Sequence, residues 1–297
     1  MRFVNFMLHP ALQGLISNAG MMYADFEEYG ISTTYEFPWS PHIRLNFTVH
    51  GLPLHIRKEN EALLTPLPDC SLIGPQLCRN MICFDPKSVV ICICFHPGGF
   101  HRLTGIPVHE MINKDLDAGS LMGRGVLQVA KELQTATGPE QMKQIIETFF
   151  LKKIQLKETV LQPFDKAIAQ WTDYSGNIPV SDIARDACLS IRQFERKCHE
   201  RLGITPKLFA RLVRFSKAYA LAEQQQKRSW TSLAYECGYY DQMHLISDFK
   251  AFTGMTPSSM DTAHSLKLIY LLETDPGIHL YHEPIDLYSM GEQFYRV

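Results

Sequence analysis

Gly203-Ile204-Thr205-Pro206 recurs as Gly254-Met255-Thr256-Pro257, and each copy closes a run with helical periodicity. A repeat of about fifty residues is one supersecondary unit built twice in tandem, which leaves this part of the chain little freedom to be other than helical.

The second copy is the more legible. Within Ser229 to Pro257, Trp230, Leu233, Ala234 and Cys237 fall on one face at helical spacing. Gly238 offers the positive φ that a tight turn between helices needs, and Asp241 is placed to cap the next helix. Leu245, Phe249 and Phe252 form the buried side of that helix, with Gln242, Met243, Ile246, Ser247 and Lys250 opposite. In the first copy Val180, Ile183, Ala184 and Ala187 make the inner stripe and Cys188-Leu189 the turn, while Ser190 and Gln193 have capping-box spacing. Ile191, Phe194, Cys198 and Leu202 are expected to face inward, leaving Arg192, Glu195, Arg196 and His199 outside. Each copy reads as a helix-turn-helix.

Between them Lys207 to Gln224 predicts a helix with Leu208, Leu212, Phe215, Tyr219 and Ala222 buried and Lys207, Arg211 and Arg214 on another face. At about 1.5 Å per residue it spans roughly 27 Å. That suits two recognition helices reaching successive major-groove segments about 34 Å apart.

The 297 residues, 45% hydrophobic and 20% charged, suggest two globular domains. The start lacks the apolar core of a signal peptide and no window approaches the roughly 18 apolar residues of a membrane span, so a soluble cytoplasmic protein without a membrane partner is expected. The net charge of −2 conceals an asymmetry: Lys166 to Met260 holds 13 Lys+Arg against 9 Asp+Glu, and the remainder 16 against 22. A basic module is attached to an acidic one.

The N-terminal half predicts a short helix around Pro10 to Ser17, then strands. Arg44 to His50 alternates in period two, and Ser88 to Phe95, SVVICICF, has the continuous apolar character of a strand buried on both faces. After Pro97-Gly98-Gly99 the pattern turns helical over Val108 to Asn113, Leu121 to Thr135 and Pro139 to Lys153. A helix over Glu158 to Asp173 leads to the turn Tyr174-Ser175-Gly176-Asn177, and Ser265 to Glu273 predicts one more helix.

The run Trp230, Leu233, Ala234, Cys237, Gly238, Tyr239, Asp241, Gln242, His244, Leu245, Phe249, Lys250, Gly254, Thr256 and Pro257 resembles the AraC/XylS family of transcription regulators. The duplication is itself a trait of that family, and HPGGFHRLTGIP looks like a segment of one poorly characterised subgroup. The resemblance implies an α+β chain: a β-rich, barrel-like (cupin-like) sensor and dimerisation domain with trailing helices over 1–155, an all-α double helix-turn-helix over 156–260, and an extension over 261–297. Double-stranded DNA, a small-molecule effector and a second copy of the chain are the implied partners.

By position, Arg192, Glu195 and Arg196 match the family's base-reading residues, and Gln242, Met243, Ile246 and Ser247 are their counterparts in the second unit. An Arg can donate two parallel bonds to guanine O6 and N7. Phosphate contacts are expected from Lys197, Arg201, Lys207, Arg211 and Lys250, with the helix N-termini at Ser190 and Asp241. Members often have an Arg where this chain has Ser247, and Asp248 is expected to face a phosphate badly, so the first unit should supply most base-specific affinity. His244 is read as a packing or backbone-bonded histidine.

Two other chemistries compete for the first domain, as a metal- or thiol-dependent sensor or enzyme fused to the DNA-binding half. His50, His55, His96 and His101 lie near strands, but the close H-x-H pair of a metal cupin is absent, so no metal, cofactor or catalytic residue is expected. Cys92 and Cys94 share a strand face as a thiol sensor would require, within an apolar run that favours inert packing. The eight cysteines include no C-x-x-C pair, so neither a disulfide framework nor a zinc site is indicated.

Overall fold

The computed structural model describes residues 2–30, 32–155, 161–224 and 229–262. The helix expected over Ser265 to Glu273 and the rest of the extension past Thr262 lie outside them.

Among the described residues the N-terminal half holds ten strands: β1 (Arg2–Asn5), β2 (Ile16–Asp25), β3 (Thr34–Phe37), β4 (Arg44–His50), β5 (His55–Lys58), β6 (Thr65–Pro66), β7 (Cys70–Ile73), β8 (Asn80–Cys83), β9 (Lys87–Phe95) and β10 (Asp115–Asp117). They divide into two antiparallel sheets, one in the order β1-β2-β9-β4-β7-β10 and one in the order β3-β8-β5-β6. β9 lies inside the larger sheet and its alternation separates two cores. Val89, Ile91, Ile93 and Phe95 join the cluster shared with the trailing helices, whereas Val90 joins the cluster shared with Phe37, Ile56 and Ile82 of the smaller sheet. The continuous apolar run in the sequence therefore marks a strand covered on both faces.

The helices are α1 (Phe26–Tyr29), α2 (Gly99–Thr104), α3 (Ala118–Met122), α4 (Arg124–Gln134), α5 (Pro139–Gln155), α6 (Pro163–Asp173), α7 (Val180–Asp186), α8 (Ile191–Leu202), α9 (Pro206–Gln224), α10 (Trp230–Glu236) and α11 (Gln242–Thr253). Four expectations need correction. The helix over Val108 to Asn113 is only a 3-10 turn at Val108–Met111, because Ile112 leaves the helical region at ψ 127°. The helix around Pro10 to Ser17 is only a 3-10 turn at Pro10–Leu12, because from Ile16 onward the chain is drawn into the ladder with β9 that runs from Ile16↔Phe95 to Asp25↔Lys87. The helix over Leu121 to Thr135 breaks at Gly123, whose φ of 85° lies outside the helical region. The helix before the turn at Tyr174 begins at Pro163, where the Gln162 N–H donates to Asp165 Oδ2 at 2.9 Å; residues 156–160 lie outside the description.

The C-terminal helices surround Trp171, which is fully buried between Phe194 at 5.9 Å and Phe209 at 5.7 Å and donates its Nε1–H to the Ile178 carbonyl at 2.9 Å. A second aromatic group, Phe215, Tyr219, Phe249 and Phe252, joins α9 to α11. These residues and the smaller sheet belong to one continuous apolar cluster, so the two halves of the chain are packed together.

Candidate nucleic-acid interface

The two helix pairs share one local design. In the first, Ile183, Ala184 and Ala187 of α7 and its C-cap bury against Phe194, Cys198 and Leu202 of α8. The turn closes with the Leu189 N–H donating to the Ala184 carbonyl at 2.9 Å and Cys188 at φ 57°. In the second, the Tyr239 N–H donates to the Ala234 carbonyl at 2.9 Å and Gly238 takes φ 78°. Cys188 thus occupies the left-handed position that Gly238 fills in the other copy, although a side chain is strained there.

The copies differ by one residue in the turn. The next residue after Leu189 is the cap Ser190, whereas Tyr240 intervenes between Tyr239 and the cap Asp241 and is left 83% exposed. Ser190 Oγ accepts from the Gln193 N–H at 3.3 Å while Gln193 Oε1 accepts from the Ser190 N–H at 3.0 Å, which completes the expected capping box. Asp241 Oδ1 accepts from the His244 N–H and from His244 Nδ1, both at 2.8 Å. The backbone bond from His244 is the main cause that holds the Asp241 carboxyl below its ordinary range. His244 is therefore an exposed partner of the cap.

With Gly203 and Gly254 aligned as the helix C-caps, Arg192, Glu195 and Arg196 correspond to Met243, Ile246 and Ser247. Arg192, Glu195, Arg196, Met243 and Ser247 are exposed and Ile246 is half-buried. Gln242 is half-buried, with Oε1 accepting from Thr231 Oγ1 at 2.7 Å. Ile191, expected to face inward, is 51% exposed, because it is the first residue after the cap and lies beyond the reach of the α7 stripe.

The residues expected at phosphates fall into two groups. Lys207 and Lys250 are exposed, Ser190 and Asp241 cap the N-termini of α8 and α11, and Lys197 is half-buried with Nζ 6.0 Å from the Phe164 ring centroid. Arg201 and Arg211 are engaged within the fold. Arg201 Nη1 meets Asp165 Oδ1 at 3.1 Å, and its Nη2 donates to Gln162 at 2.7 Å. Arg211 donates from Nη2 to Asp248 Oδ1 at 2.6 Å and from Nε at 3.2 Å. Asp248 is buried, so the acid expected to confront a phosphate points into the protein instead. Beside it, burial keeps the Tyr239 phenol well above its ordinary titration range.

Both α8 and α11 end on the N-terminal half. Past α8, a Cβ on Gly203 would stand 2.8 Å from Ile112 Cδ1, and the His199 ring stacks on His109 with centroids 4.5 Å apart. Past α11, a Cβ on Gly254 would run into the Arg79 guanidinium, and Phe252 packs on Trp39 at 5.4 Å while its carbonyl accepts from the Trp39 N–H at 3.1 Å. The repeated glycines thus permit close approach to the first half as well as left-handed caps. Sequence periodicity does not single out Trp39 or His109, since neither lies in a regular apolar pattern. Nor does it reveal Asn177, whose Nδ2 donates to the Cys237 carbonyl at 3.2 Å and ties the start of the first unit to the turn of the second.

In the first half, Cys92 and Cys94 are buried with Sγ atoms 3.8 Å apart. A void of about 20 Å³ between the two sheets, with Arg44, Asn46 and Cys92 among its lining residues, has room for a water or two. His55 Nδ1 contacts the Pro53 carbonyl at 3.0 Å and His101 Nδ1 the Ile106 carbonyl at 2.9 Å. Among the described residues no group of three or more His, Cys, Asp or Glu is placed to hold a metal ion.

Residues 183–263 match the family model described as a helix-turn-helix domain. Over 153 residues the chain is 24% identical to the HTH-type transcriptional activator RhaS of Pectobacterium carotovorum subsp. carotovorum (strain PC1), covering 48% of this chain and 54% of that protein. The chain carries an AraC/XylS-type DNA-binding domain. The AraC/XylS-type region takes in all of α8 to α11, and the RhaS match spans about half the length of that relative. Among solved structures, the chain is similar to ToxT from Vibrio cholerae O395, with a TM-score of 0.43 and 13% identity over 88% of this chain and 98% of that one. It is also similar to the DNA-binding domain of AdpA solved in complex with a target DNA, with a TM-score of 0.34 and 22% identity over 36% of this chain and 96% of that one. Among the described residues no helix is long and apolar enough to cross a membrane.

Proposed function

We propose that this chain is a sequence-specific transcription regulator that binds double-stranded DNA through two helix-turn-helix units, α7–α8 and α10–α11, joined by α9. The observation that carries this reading is the exposed stripe Arg192, Glu195 and Arg196 on a capped helix within the matched region. Arg192 and Arg196 are one turn apart, so each guanidinium can address a guanine edge. Gln242, Met243, Ile246 and Ser247 carry the second half of the readout. Phosphate positioning falls to Lys197, Lys207 and Lys250, with the helix N-terminus at Ser190, while the Asp241 carboxylate already occupies that of α11. Arg201 and Arg211 act by holding α8 and α9 in place.

Residues 1–155 would then form a barrel-like sensor and dimerisation body, 156–260 the DNA-binding domain and 261–297 an extension. The contacts of Trp39 with Phe252 and His109 with His199 support communication, because a small-molecule effector that favours one packing of the halves would change how α8 and α11 are presented. No residue is assigned a catalytic role, and DNA binding by this route needs no cofactor.

Selection from a random duplex pool with the full chain at stated salt tests the reading. Enrichment of one asymmetric motif in two segments about one helical turn apart is expected. Recovery of no motif would overturn it.

A further inference from the structure

We propose that α11 reads thymine 5-methyl groups through Met243 and Ile246, so that the DNA segment under the second unit is recognised by apolar contact where α8 reads guanine. The inference rests on the functional reading above, that both units face the major groove. With the helix C-caps aligned, Met243 occupies the place of Arg192, Ile246 that of Glu195 and Ser247 that of Arg196. None of these three carries a charge, although their counterparts in α8 all do.

Met243 is 68% exposed, and the 83% exposed Tyr240 ring lies three residues before it in the one-residue expansion of the turn. Tyr240 is propped edge-on against His244 at 5.8 Å, and His244 is in turn held by the cap Asp241. The start of α11 therefore presents large apolar groups to water, and covering them is favourable. In the major groove thymine alone offers a methyl group, so an unbranched thioether beside a branched aliphatic side chain selects A·T pairs.

The polar neighbour is restrained. Gln reads adenine by using its carbonyl oxygen and its amide nitrogen together. Gln242 Oε1 already accepts from Thr231 Oγ1 at 2.7 Å, which turns the amide toward α10 and leaves that oxygen one lone pair for a base. The apolar pair adds discrimination that does not depend on how this amide is turned.

The experiment uses the full chain and the duplex recovered by selection. Each thymine is replaced in turn by deoxyuridine, which removes the methyl and leaves the base-pairing edge intact. About a fourfold loss of affinity per contacted methyl is expected, the ratio that one buried carbon group gives. The sensitive thymines should cluster in the half of the site away from the bases where Arg192→Ala relaxes specificity. Met243→Ala, at an exposed position that does not threaten folding, should abolish the thymine–uracil difference at the thymine Met243 covers and leave that under Ile246 in place. A site bound with full selectivity but indifferent to uracil throughout would overturn this inference and leave the functional reading standing. Recovery of no bound sequence would overturn both.

Discussion

Arg211 on α9 and Asp248 on α11 form a hydrogen-bonded ion pair, 2.6 Å from Nη2 to Oδ1, with the guanidinium 5.1 Å from the Phe252 ring centroid. α9 is thereby joined to α11 by charge as well as by aromatic packing. The partners are unequal, since the Asp248 side chain is 9% exposed and that of Arg211 39%. Arg211→Ala strands a carboxylate in the interior and should destabilise by about 2–4 kcal/mol, whereas Asp248→Ala leaves a guanidinium able to reach water and should cost about 1 kcal/mol. Urea unfolding of both variants measures the inequality. The salt dependence of DNA affinity should keep its slope in Arg211→Ala, whereas loss of a phosphate contact lowers it by about one.

At the recognition stripe of α8, Arg192→Ala and Arg196→Ala should each cost about 1–3 kcal/mol of binding free energy and relax specificity at one base pair. Lys207→Ala should weaken all sequences alike and reduce the salt slope by about one. Titrations of a selected and a scrambled duplex at several salt concentrations separate the two behaviours.

The two turns give opposite expectations for one kind of exchange. A Cβ on Gly238 meets φ 78° and runs into the Asn177 side chain, so Gly238→Ala should destabilise by about 2 kcal/mol. Cys188 bears the φ 57° strain already, so Cys188→Gly should stabilise by up to about 1 kcal/mol. Thermal or urea unfolding checks both signs.

Trp39 is a docking residue for the end of α11. Trp39→Ala removes the ring contact to Phe252 while the backbone bond from position 39 persists, so global unfolding should remain cooperative. Amide exchange in α11 and in the Pro257–Thr262 turn should accelerate by at least tenfold. Unchanged exchange there would mean that α11 is anchored by the Phe215–Phe249 group alone.

Thiol reactivity should follow burial. Cys188 is exposed, while Cys70, Cys92, Cys94, Cys198 and Cys237 are buried, and burial pushes the Cys70 thiol up to about 12. A disulfide reagent near pH 8 should label Cys188 first, a phase removed by Cys188→Ser, and should reach Cys92 and Cys94 only on unfolding. Rapid native labelling of Cys92 with a change in DNA affinity would revive a thiol-sensing role.

The sequence by itself determined the elements whose cause is local. Capping by Ser190 and Asp241, the left-handed need at Gly238, the stripes of Phe194, Cys198 and Leu202 and of Leu245, Phe249 and Phe252, and the two-sided burial of β9 all follow from spacing within one segment. Tertiary structure decided what depends on partners distant in the chain. From Ile16 the chain follows the β9 ladder, with an irregularity at Ser17, instead of a helix because nine paired positions outweigh local propensity. Arg201 and Arg211 look like phosphate ligands in isolation, since a helix face of cations shows no partner until Asp165 and Asp248 are folded against it. Docking of Gly203 and Gly254 on Ile112 and Arg79 was invisible for the same reason: a close approach is a relation between two surfaces, and each glycine alone announces only its backbone angle.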